Sequence, residues 1–99
     1  MPLLHVALQD GFEGDRVIVR VNGREVFNKS NVRTRYQISF ADSCELDVDE
    51  GSVNVEILLP VKNLQQTVAL PVAGPTYVGI SRREDRIESR VSQEPFGYL

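Results

Sequence analysis

Asp10, Glu13 and Asp15 fall in one short stretch that also holds Gly11 and Gly14, and Asp47, Asp49 and Glu50 crowd a second turn. A hard cation such as calcium needs several oxygen ligands, and loops at one end of a β-sandwich can supply them. Asp10, Glu13 and Asp15 are therefore the candidate metal ligands. Their spacing is not that of an EF-hand loop, since the stretch is too short and lacks the distal glutamate. Turns also gather Asp for conformational reasons alone, so solvated turn carboxylates are the plainer reading.

Nucleophilic chemistry has little to draw on. His5 is the single histidine and Cys44 the single cysteine, which rules out a site of several imidazoles and an intrachain disulfide. Cys44 shares the apolar side of its segment with Leu46 and Val48, where a thiol is a small hydrophobe whose pKa burial raises. His5 lies on the polar side of its own segment. The sequence contains no G-x-S-x-G elbow, phosphate-binding loop, dinucleotide fingerprint or zinc-ligand spacing. No catalytic residue and no cofactor are assigned.

Arg16, Arg20, Arg24, Lys29, Arg33 and Arg35 form a basic row, but no aromatic residues interleave with them and the chain has no tryptophan. A nucleic-acid platform needs stacking side chains in such a place. Cross-strand pairing is the simpler role: a hairpin between Phe40 and Cys44 would put Arg35 near Asp49 and Gln37 near Asp47. The run Ser81-Arg82-Arg83-Glu84-Asp85-Arg86 reads as a mixed-charge hairpin tip, with the charged strand after it as a protected sheet edge. The ending Gln93-Glu94-Pro95-Phe96-Gly97-Tyr98-Leu99 carries Phe96, Tyr98 and Leu99, which are the candidate binding residues. They either dock back onto the domain or insert into a partner, and a tail crossing to a second copy would make a homodimer.

What must position these residues is a set of strands. Val17, Val19 and Val21 alternate with Arg16, Ile18 and Arg20, and the same rhythm of mostly polar neighbours separates Leu4, Val6 and Leu8; Tyr36, Ile38 and Phe40; Cys44, Leu46 and Val48; and Val53, Val55, Ile57 and Leu59, with Ala7 and Leu58 as apolar exceptions like Ile18. Alternation with period two is the mark of half-buried strands. Asn22-Gly23 between two such runs predicts a two-residue hairpin pairing 16–21 with 24–27. The five prolines lie outside strand centres, where proline would remove a ladder hydrogen bond. The expectation is one all-β domain over residues 1–99, an antiparallel β-sandwich of about eight or nine short strands, immunoglobulin-like or transthyretin-like.

A net charge of −3 opposes non-specific binding to nucleic acid or an anionic membrane. The opening Met1-Pro2-Leu3-Leu4-His5-Val6 lacks the basic and apolar regions of a signal peptide. With a single cysteine, this favours a reducing, cytoplasmic setting. Taken whole, with its Asn-Gly hairpin near the start and its Glu-Pro-Phe-Gly-Tyr-Leu ending, the chain resembles small bacterial β-sandwich proteins. The hairpin Val19-Arg20-Val21-Asn22-Gly23-Arg24-Glu25-Val26 is also similar to hairpins of transthyretin-like and carbohydrate-binding accessory domains. Neither resemblance implies an activity or a site residue. The function expected is a non-enzymatic module that binds a protein partner or itself. The alternative is a calcium-assisted carbohydrate- or ligand-binding domain.

Overall fold

The computed structural model describes residues 2–35 and 37–96. The strands are β1 (Leu3–Leu8), β2 (Glu13–Val21), β3 (Arg24–Arg33), β4 (Asp42–Asp47), β5 (Gly51–Leu59), β6 (Leu64–Val72), β7 (Thr76–Arg82) and β8 (Ile87–Ser92). A single 3-10 turn, Pro60–Lys62, joins β5 to β6. They form two four-stranded sheets, in the orders β4-β1-β7-β8 and β3-β2-β5-β6. All neighbours are antiparallel except β1 and β7, which run parallel. The β-sandwich expected from alternation is the fold observed. β1 and β2 belong to different sheets, unlike the immunoglobulin constant arrangement, in which the first two strands lie side by side.

The alternation works as sheet geometry requires. Val17, Val19 and Val21 are 0, 1 and 5% exposed; they lie beside Val53, Val55, Ile57 and Leu59 on the inner face of one sheet and share one core with Leu4, Val6, Leu8, Val78 and Ile80 of the other. At the hairpin tip Asn22 and Gly23 have φ of 52° and 81°, both positive as a type I′ turn demands. Val21 pairs with Arg24 and Arg20 with Glu25, and a register shift follows before Val19 meets Phe27.

Two expectations need correction. The stretch Tyr36–Phe40 does not form a strand: residues 37–39 make a turn, and a lone bridge joins Arg35 to Phe40. Tyr36 itself lies outside the described residues. Nor do Phe40 and Cys44 flank a hairpin, because β4 pairs with β1 and sets Cys44 opposite Val6 and Asp47 opposite Leu3. Arg35 and Gln37 therefore do not meet Asp49 and Asp47. The physical reason is the crossover: β3 and β4 lie in different sheets, so the chain between them must turn.

The link from β1 to β2 is sewn to both sheets. Gln9 N–H donates to Ile80 O (2.7 Å), Arg82 N–H to Asp10 O (2.8 Å) and Thr34 N–H to Phe12 O (2.8 Å). The buried Thr34 hydroxyl donates to Gln9 O at 2.6 Å and accepts from Phe12 N–H at 3.0 Å. These bonds satisfy backbone groups that a buried crossover would otherwise leave without water or partner.

Candidate functional site

Each sheet has an edge strand on the same side of the sandwich, β3 in one and β4 in the other. An open cleft of about 650 Å³ lies between them. Its floor is Val26 from β3 and Cys44 and Leu46 from β4, half-buried and packed against the core. Its rim carries Glu25, Glu45, Asp47 and Asp49 against Arg24. Beyond Cys44, an ion pair at 2.9 Å between Lys29 Nζ and Asp42 Oδ2 ties the two edges together. Burial tends to raise the Asp42 carboxyl. It is nevertheless held below its ordinary range by the Lys29 hydrogen bond, the Ser43 backbone N–H and the Lys29 charge.

The alternation that lines the cleft also sorts its chemistry. Cys44 and Leu46 face inward, whereas Glu45 on the outer face accepts a hydrogen bond from His5 Nδ1 at 2.7 Å. The His5 ring also lies against Tyr77, centroids 5.7 Å apart. His5 and Cys44 therefore project to opposite faces of their sheet and form no dyad.

The thiol is further quieted by its setting. Burial, then the charges of Asp42 and Glu45, push Cys44 up from 9.0 to about 11. At neutral pH this lowers its thiolate fraction about 100-fold, tenfold for each pH unit. Iodoacetamide should accordingly label Cys44 slowly in the native protein and far faster in denaturant. Equal rates would mean an open, ordinary thiol. Because the folded pKa is raised, the native state keeps a proton that the unfolded chain releases. That contribution to stability is complete below about pH 9 and is lost as pH climbs toward about 11.

The carboxylates proposed as metal ligands are dispersed in role. Asp10 is half-buried and its carbonyl serves the Arg82 N–H. Asp15 is buried; its Oδ2 accepts from Glu13 N–H at 3.1 Å and stands 4.0 Å from Arg82 Nε. That last contact is an ion pair by proximity only, because Arg82 Nε is buried and makes no hydrogen bond. Among the described residues no group of three or more histidine, cysteine or acidic side chains is placed to hold a metal ion.

Phe96 is half-buried, with the Arg90 guanidinium 4.5 Å above its ring. Tyr98 and Leu99 lie outside the described residues. In the basic row, Arg16 and Arg33 bond to Asn28 and Asn31, at 3.3 and 3.1 Å. At the β7–β8 tip Arg83 and Arg86 both engage Glu88, at 3.0 and 2.8 Å.

Comparison with protein-family models, with curated proteins and with solved structures finds no match. Among the described residues no helix is long and apolar enough to cross a membrane.

Sequence reasoning did not find the cleft. The signals were present in pieces, as charges along β3 and apolar Cys44 and Leu46 beside acidic neighbours. That β3 and β4 are facing edges follows only from the strand order.

Proposed function

We propose that this chain is a protein-binding module that takes an extended segment of its partner into the β3–β4 cleft. One observation carries the reading: an apolar floor and a mostly acidic rim lie between two strands whose outer edges have no strand partner among the described residues. An added strand would hydrogen-bond to a free edge, and alternate side chains would fall into and out of the cleft. Apolar side chains would meet Val26, Cys44 and Leu46. Basic ones would meet Glu25, Asp47 and Asp49. The preferred occupant is thus a cationic segment in which apolar and basic residues alternate. β4 has six residues, about 20 Å of strand, so the segment need be no longer than six to eight residues.

Calcium-assisted binding draws no support from the placement of Asp10, Glu13 and Asp15. A quiet Cys44 and a His5 engaged by Glu45 support a role in binding over one in catalysis.

Fluorescence anisotropy with a labelled octapeptide of alternating Lys and Val tests the proposal. The peptide should bind saturably, more weakly at high salt because exposed charges are screened. The Asp47→Lys/Asp49→Lys variant should lose at least about tenfold in affinity, since charge complementarity becomes repulsion. A Glu–Val octapeptide should not bind. Equal binding of both peptides, or none at millimolar protein, would defeat the proposal.

A further inference from the structure

The edges of the sandwich are not alike. β3 carries Arg24, Glu25, Lys29 and Arg33; β4 carries Asp42, Glu45 and Asp47; β8 carries Glu88 and Arg90. Charges of this kind keep an open edge from pairing indiscriminately, admitting only a chain of complementary charge. β6, with the sequence LQQTVALPV, has nine residues and no charge. It pairs with β5 on one side only.

We propose that two copies of this chain pair through β6, antiparallel about a two-fold axis at Thr67, joining their sheets into one of eight strands. The register follows from the strand's own ends. Asn63, with φ of 54°, stops β6 at one end. Pro71, near the other, has no N–H to offer. Proline in an edge strand turns that side toward solvent, so alternation turns the backbone groups of Gln65, Thr67 and Ala69 outward as well. The midpoint of this open ladder is Thr67. A two-fold axis there sets Gln65 opposite Ala69 and Thr67 opposite its own copy on the outer face. On the inner face it sets Leu64 opposite Leu70 and Gln66 opposite Val68.

Two further observations fit this partner. Gln66 Oε1 is buried and meets no hydrogen-bond donor. Across the axis, the second copy's Gln66 lies on the diagonal of the same face, within reach of a long side chain, and its amide can supply the missing N–H. The half-buried Leu64 and Val68 would gain apolar neighbours in the same step. Val91, 49% exposed on β8, lies at the same side of the sandwich, where β8 contacts β6. A neutral strand meeting its own copy brings no like charges together. A charged segment would gain nothing from this edge.

This pairing uses the edge opposite the cleft, so it stands or fails independently of the peptide site. The experiment is sedimentation equilibrium on the full chain, on Thr67→Lys, on Thr67→Glu and on an equimolar mixture of the two variants. Position 67 is exposed, and circular dichroism confirms that each variant keeps its sheet. The unchanged chain should dimerise. Each variant alone should dimerise at least about tenfold more weakly, because like charges are set directly opposite. The mixture should regain the dimer, since Lys then faces Glu. A chain that stays monomeric at millimolar concentration would overturn the proposal. So would a dimer indifferent to both variants, or a mixture no tighter than its components.

Discussion

Phe12→Ala should cost about 3–5 kcal/mol of folding free energy, the range for deleting a fully buried aromatic side chain. Phe12 is 1% exposed and heads the buried side chains by size. It does not sit on a strand. It ends the crossover from β1 to β2, with its N–H bonded to Thr34 Oγ1 and its carbonyl accepting the Thr34 N–H. Truncation would leave a cavity where the two sheets are sewn together, and backbone pinned by these bonds cannot readily collapse into it. A domain of this size holds only about 5–15 kcal/mol in total, so the loss is a large fraction. The melting temperature should fall by about 12 °C or more, at 4–8 °C per kcal/mol for small domains. Phe12→Leu should recover much of the loss. A change within 1 kcal/mol for Phe12→Ala, measured by urea denaturation, would show that the crossover is not part of the core.

Phe12 also shows what can and cannot be read from the chain. Strand alternation is a local property, and so Val17, Val19 and Val21 declare their inward face two residues at a time. Asn22-Gly23 declares the hairpin by the backbone angles that few other residues accept. Phe12 lies among Asp10, Gly11, Glu13 and Gly14, a stretch with the composition of a surface loop. It is buried because both sheets close over it, which no local pattern records. Asp15 is similar: read as a loop carboxylate, it is turned inward toward Arg82, a residue far along the chain. Tyr36, Ile38 and Phe40 alternate as a strand would, yet 37–39 turn, because the chain must pass there from one sheet to the other. Periodicity names a face only when a neighbouring strand exists to pair with it.

The sites divide along the same line. The apolar character of Cys44 and Leu46 and the acidity of Glu45, Asp47 and Asp49 are visible residue by residue. Their joint role as floor and rim depends on β3 and β4 being edges of opposite sheets. The lack of charge in Leu64–Val72 is equally visible, and in a central strand it would mean only burial. At an edge it means an open ladder without protection. Topology converts the same composition from a core signal into an interface signal.

The crossover supplies a second strong test, at Gly11. Its φ is +88°, and a Cβ built there would lie 1.9 Å from the carbonyl oxygen of Arg82. Gly11→Ala therefore faces two costs. Holding a residue with a Cβ in the left-handed region costs about 1–2 kcal/mol. The steric overlap is with backbone, not with a side chain that can swing aside, so β7 and the crossover must separate. That separation strains the 2.8 Å bond from Arg82 N–H to Asp10 O, and losing a buried backbone bond costs a further 1–3 kcal/mol or so. The sum should be about 2–5 kcal/mol. Gly23→Ala is the internal control. It has a similar φ of +81° at the β2–β3 hairpin tip, but nothing lies within 4 Å of the Cβ position. Only the conformational cost applies there, about 1–2 kcal/mol. The difference between the two variants in urea-denaturation midpoints thus isolates the contact between Gly11 and Arg82. If the two alanines destabilise equally, the left-handed backbone is the whole cost and the close approach of β7 to the crossover contributes nothing.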